Sequence, residues 1–173
     1  MTRNDVAFQK IVDSHTPKMV PIEAITGNKT ENTFRGMASE ASSYLLSHEW
    51  CKEIVRGYWA LGWEGVLAVF FFRFVPAKKG VDSTVWVIVG DIPPAYICND
   101  NRDAATALEG YTTEMQKWVE AVKKRKSVKE LIPVNAKPTR EYADMLESRL
   151  KFIREELLPI ACEAPESIDT PKE

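Results

Sequence analysis

The stretch TVWVIVGDIPPAYICN, residues 84–99, sets the reading of the whole chain. From Thr84 to Gly90 it is rich in β-branched residues and apolar on both faces, as in a strand covered on two sides. Pro93 and Pro94 then interrupt it. Neither can donate a backbone hydrogen bond, and Pro93 confines Ile92 to extended geometry, so ladder pairing stops on one side. Gly90 admits a bulge or tight bend. Residues 95–99 resume as a short third strand at a sheet edge. Upstream, GVLAVFFFRFV at 65–75 sets Val66, Ala68, Phe70, Phe72 and Phe74 on one face and Leu67, Val69 and Phe71 on the other. The link PAKKGVDS is too short for a parallel return, which takes about a dozen residues. A three-stranded antiparallel meander follows.

The helices are read outward from that meander. Trp50, Ile54 and Tyr58 recur at every fourth position, with Cys51, Val55 and Trp59 beside them, which predicts a helix within 39–61. Ser47 stands as its N-cap or kink and Gly62 as its stop. After the third strand, Asp103 caps a helix from Ala104 to about Arg125, with Leu108, Tyr111, Met115, Trp118 and Val122 on its apolar row. Thr139 caps a last helix to about Leu158, which buries Leu146, Leu150, Ile153 and Leu157 and stops at Pro159. The order α-β-β-β-α-α, with about three packing helices, defines one α+β domain over 38–160. Residues 1–37 read as a loosely ordered N-terminal arm, and 161–173 as a disordered acidic tail.

Composition narrows the function classes. The 173 residues are 45% hydrophobic and 28% charged, an ordinary globular make-up. A net charge of −2 offers no general attraction for nucleic acid or an anionic membrane. The apolar run at 65–72 is far short of the ~20 residues of a membrane span, and the N-terminus lacks the apolar core of a signal peptide. Cys51, Cys98 and Cys162 form no CxxC pair and fit a reducing, cytoplasmic location. Without a secretion signal, the glycosylation pattern at Asn28-Lys29-Thr30 counts as coincidence.

Candidate binding residues gather at the corner: Asp91, Pro93, Pro94 and Tyr96, with Asn99 and Arg102 in the following turn. A rigid rim favours recognition because little order is lost on binding. The plainer account is a strand terminator whose Asp bonds local N–H groups and whose Tyr packs. His48 and Cys51 share a helical face in this reading but supply only two ligands, so no metal site is expected. Cys51 or Cys98 as a nucleophile would need a base in reach; the stripe makes Cys51 a small buried hydrophobe. Asn99 to Asp103 lacks the Gly and Glu of a calcium loop. The basic run Lys123 to Lys126, with Lys129, has no interleaved aromatics for single-stranded nucleic acid and suits a helix C-terminus. Neither a GxGxxG, a GxxxxGK[ST] nor a GxSxG motif occurs, and no cofactor is expected.

The run Trp86-Val87-Ile88-Val89-Gly90-Asp91-Ile92-Pro93-Pro94-Ala95-Tyr96 resembles a small uncharacterised bacterial domain family that carries a W-V-x-V-G-D-[IL]-P-P-A-Y segment. Trp50-Cys51, Trp59-Ala60-Leu61-Gly62 and Arg149-Leu150-Lys151-Phe152-Ile153-Arg154-Glu155-Glu156 extend the resemblance, over about residues 40–160. It implies a bacterial source and one compact domain, and it carries over no catalytic residue. The expectation is a non-catalytic cytoplasmic binding module acting through a protein partner, immunity- or adaptor-like by analogy of class, with a homodimer left open. The alternative is a small enzyme or small-molecule-binding protein with a pocket between sheet and helix near Asp91. Tyr58, Trp59, Trp63 and Tyr111 would wall it.

Overall fold

Both faces of the central strands are apolar, and the fold covers both. The computed structural model describes residues 3–15, 18–100 and 103–163. Its elements are α1 (Arg3–Ser14), β1 (Val20–Pro21), a 3-10 turn (Ile22–Ala24), α2 (Lys29–Leu46), β2 (Cys51–Trp63), β3 (Leu67–Pro76), β4 (Thr84–Gly90), β5 (Ala95–Cys98) and α3 (Ala104–Lys123). Then comes α4 (Arg140–Phe152), prolonged by a π-helical turn (Ile153–Leu157) into α5 (Leu158–Cys162). The strands make one antiparallel sheet in the order β1-β2-β3-β4-β5. The α+β class and the antiparallel meander stand. The sheet has five strands rather than three, and four helices pack on it when α4 to α5 is taken as one.

Alternation along β3 and β4 divides the interior into two cores. Leu67, Val69, Phe71, Trp86 and Ile88 face α1, α3 and α4, while Ala68, Phe70, Phe72, Val85, Val87 and Val89 face α2. All but Val85 of these are 0% exposed, and each large side chain so buried contributes about 1.5–3 kcal/mol.

The helix expected within 39–61 is overturned in its second half. Residues 51–63 are strand β2, and the helix, α2, lies earlier at Lys29–Leu46. The misleading four-residue spacing comes from register shifts between Cys51 and Glu53, Ile54 and Arg56, and Trp59 and Leu61. Each bulge adds a residue and reverses which face the following side chains take. Ile54 and Trp59 therefore face α2, whereas Tyr58 and Ala60 face the other core. Ser47 caps the C-terminus of α2, its hydroxyl donating to the Tyr44 carbonyl at 2.6 Å. Asn28 is the N-cap, accepting the Glu31 N–H at 2.9 Å. Gly62 stops no helix: it lies in β2, where a Cβ would stand 2.6 Å from the ring of Phe34.

The segment expected as a loose arm carries α1, β1, the 3-10 turn and the first half of α2. Phe8 is buried against Phe71 and Tyr58, at ring distances of 5.1 and 5.8 Å, and Met19, Ile25 and Phe34 are buried too. At the end of α1, His15 Nε2 accepts the Ala104 N–H at 3.0 Å and so ties α1 to the start of α3. Asp103 caps that helix as expected, accepting from the Thr106 N–H and hydroxyl at 2.7 Å. Burial works to raise the Asp103 pKa, but these donors and nearby His15 hold it below its usual value. Thr139 caps α4. Pro159 does not end the last helix. The Leu158 N–H reaches back five residues to the Ile153 carbonyl, a wider turn that lets the helix pass through the proline. Of the expected tail, residues 164–173 lie outside the described residues.

Gly90 pairs with Leu67 at a φ of +146°, and a Cβ there would lie 2.2 Å from the Val66 carbonyl oxygen. Gly90→Ala is therefore expected to cost about 3 kcal/mol or more and to lower Tm by roughly 6–12 °C. Gly80→Ala, at a φ of +84° but with open space around it, should cost only about 1 kcal/mol. Gly36→Ala, on the exposed side of α2, should gain about 0.5–1 kcal/mol. Thermal melts of the three variants check this order.

Candidate functional site

The residues picked out at the corner do not converge. Asp91, Pro93 and Pro94 face α4, whereas Tyr96 faces α2's side of the sheet. Pairing fixes this split, with Ala95 opposite Ile88 and Tyr96 opposite Val87, so consecutive side chains take opposite faces. Asn99 stands beyond the end of β5, where its amide donates to Thr84 Oγ1 at 3.2 Å and its Oδ1 is buried without a partner among the described residues. Arg102 lies outside the described residues.

On the α4 side, Gly90 to Pro94 form one wall of an open cleft of about 390 Å³, with Asn135, Tyr142, Met145, Leu146 and Arg149 opposite. The corner is held from beneath. The buried Tyr111 hydroxyl donates to the Pro93 carbonyl at 2.6 Å, and burial raises the Tyr111 pKa well above its ordinary value. The Asp91 N–H donates to the Val66 carbonyl at 2.8 Å. Arg149 crosses the cleft, its Nε and Nη2 both donating to Asp91 Oδ2 at 3.3 and 3.2 Å. That pair is solvent-exposed and contributes at most about 1 kcal/mol. Past it, a second hollow of about 240 Å³ runs between Gly65 and Val66 on one side and Ser148, Phe152 and Ile153 on the other. Together they form a groove along α4, and Met145 and Phe152, about half exposed, flank Arg149 on its rim. Sequence reasoning found the corner wall and missed the α4 wall. Met145 and Phe152 were its available signal, two bulky apolar residues beside the buried row.

Tyr96 belongs to an aromatic cluster on the opposite face. Its ring lies 4.9 Å from Trp50 and 5.2 Å from His48, and Trp50 lies 5.2 Å from Phe74. The His48 Nδ1–H donates to the Tyr44 carbonyl at 2.8 Å. Burial, and then the neighbouring Tyr96, push the Tyr44 pKa up to about 12. Trp50, Phe74 and Tyr96 border a pocket of about 230 Å³ with Val81, Asp82, Thr84, Val85 and Cys98.

The remaining candidates are placed as follows. Tyr58 and Tyr111 are buried in one core, and Trp59 stacks on Phe34 at 4.2 Å on the other side of the sheet, so these residues enclose no common pocket. Lys123 pairs with Glu147 and with Asp144, the latter at 3.2 Å, which raises its pKa and lowers that of Glu147. Arg125, with a φ of +54°, takes the left-handed position of the helix stop, where the Lys126 N–H bonds the Ala121 carbonyl at 2.8 Å. No group of three His, Cys, Asp or Glu side chains among the described residues is placed to hold a metal ion. No helix among the described residues is long and apolar enough to cross a membrane.

Cys51 is buried, and burial raises its thiol pKa against the opposing Glu53 N–H, which is the reverse of what a nucleophile needs. With a thiol reagent at pH 8, Cys98 and Cys162 are expected to react promptly and Cys51 only on unfolding. Peptide mapping of the labelled native protein checks this, and prompt labelling of Cys51 would contradict its burial.

Comparison with protein-family models, with curated proteins and with solved structures found no match to this chain.

Proposed function

We propose that the chain is a non-catalytic binding module that engages a protein partner through the groove between the Gly90–Pro94 corner and α4. One observation carries the reading: Met145 and Phe152 are half exposed on either side of Arg149, against a wall made rigid by two prolines. Methionine, aromatic and arginine side chains are enriched at protein interfaces, and a preformed wall loses little entropy on binding. The polar groups at the corner are already engaged, Asp91 with Arg149 and Tyr111 with the Pro93 carbonyl. That suits a recognition surface better than acid–base chemistry. An immunity- or adaptor-like role in a reducing cytoplasm fits the three free thiols, and the resemblance to a bacterial family belongs to the same proposal.

A small-molecule reading draws on the cleft itself, whose volume of about 390 Å³ falls in the usual range for ligand sites. The two readings part at Phe152, which borders the second hollow and not the cleft. A photocrosslinking amino acid in place of Ser148 should trap one protein in the source cells, and Phe152→Asp with Met145→Asp should abolish the adduct without moving Tm. Against the purified partner, Phe152→Ala and Arg149→Ala should each weaken binding about tenfold or more. An adduct that survives the double substitution would remove the groove as the interface. An adduct between two copies of this chain would make the partner a second copy.

A further inference from the structure

We infer that the aromatic pocket on the α2 side of the sheet is a receptor for a compact alkylammonium cation. Trp50 is its central wall. Phe74 and Tyr96 each meet it edge-on, at interplanar angles of 63° and 65°, and all three rings line the one pocket. Aromatic faces carry negative potential, and a cation seated among several of them is attracted by all at once. Among the described residues that line the pocket, Asp82 is the charged one, and it is a carboxylate at the open rim. Carboxylate and ring faces share a sign, which excludes an anionic ligand and favours a positive one. Val81, Thr84, Val85 and Cys98 complete the lining and bring no positive charge.

The size and dryness of the pocket narrow the cation. Its volume of about 230 Å³ is below the lower end, about 300 Å³, for drug-sized ligands, so it suits a compact group. A primary ammonium or a guanidinium would lose strong hydration and find few acceptors among these apolar walls. Methyl groups on nitrogen spread the charge over an apolar surface and reduce that loss. The walls are fixed before any ligand arrives. Tyr96 is set by its pairing with Val87 and braced edge-on by His48 at 86°. The Trp50 main chain is held through its carbonyl, which accepts the Ala77 N–H at 2.9 Å, and its ring packs on His48 at 5.0 Å.

The test titrates the whole chain with tetramethylammonium, choline and the neutral carbon isostere of choline, following the Trp50 indole N–H by NMR. Both cations should give a saturable shift, and the isostere should bind about tenfold more weakly or worse. Asp82→Asn, at an exposed position, should weaken choline about fivefold while leaving Tm and the isostere unchanged. Tyr96→Leu should abolish the response; if it also unfolds the chain, Asp82→Asn decides alone. Equal binding of choline and its isostere, no saturable shift with either cation, or indifference to Asp82→Asn would each overturn the proposal. A trimethyl-lysine peptide run beside choline identifies the source. Tighter peptide binding places the ammonium on a protein, and tighter choline binding places it on a small molecule.

Discussion

Where β4 ends, the main chain of Gly90 lies against Val66 and Leu67 so closely that no side chain fits between them. This contact of two backbones governs the corner. It lets the Asp91 N–H close on the Val66 carbonyl, which binds the end of β4 to the turn before β3. From there the chain has one direction to take, and Pro93 and Pro94 keep it extended until β5 begins at the buried Ala95. Tyr111 then bonds the Pro93 carbonyl from within the core, so α3 is fixed to the same point. A carbonyl left unpaired beside that buried hydroxyl would cost about 1–3 kcal/mol, which makes the corner and the helix cooperative.

A sheet buried on both faces needs cover on both, and the chain supplies it unevenly. Three helices lie over the face holding Phe71 and Trp86, and α2 alone covers the face holding Phe70 and Phe72. α2 reaches far enough only because β2 approaches it closely. At Gly57 a Cβ would meet Ile22 and Phe72 at 2.6 Å, and at Gly62 it would meet Phe34 at the same distance. The stack of Phe34 on Trp59 fills the space that Gly62 leaves, and Ile22 and Phe72 fill the space at Gly57. The single-helix cover stops short of the far end of the sheet, where Trp50 and Tyr96 stay partly open around the pocket they share with the buried Phe74.

What was legible in the sequence follows from how local its causes are. β3, β4 and β5 could be read because their alternation is unbroken and the double proline marks a stop that depends on backbone chemistry alone. The caps at Asp103 and Thr139 were legible for the same reason, each being a side chain bonding an N–H three residues on. β2 was misread because its three register shifts turn a two-residue alternation into a false helical spacing, and a bulge is visible only against its partner strand. α1 and the start of α2 were missed because their few apolar residues, Phe8 and Phe34 among them, gain their meaning from a distant sheet. The site was half legible. Asp91 and Pro93 mark a real cleft wall, but its other wall, from Tyr142 to Phe152, comes from a helix about fifty residues further along, and only the fold brings the two together.

The same alternation that made β5 readable also separates the two surfaces. Tyr96 follows Asp91 by only five positions, yet one end opens toward α4 and the other toward the Trp50 side of the sheet. Neither surface borrows a lining residue from the other, and strands β4 and β5 stand between them. With no shared side chain, and a corner held by both Val66 and Tyr111, a ligand on one face has no soft element through which to deform the other. Binding free energies at separated, rigidly held sites add. The corner thus acts as a partition, and a protein that carried both activities could be occupied at either face without regard to the other.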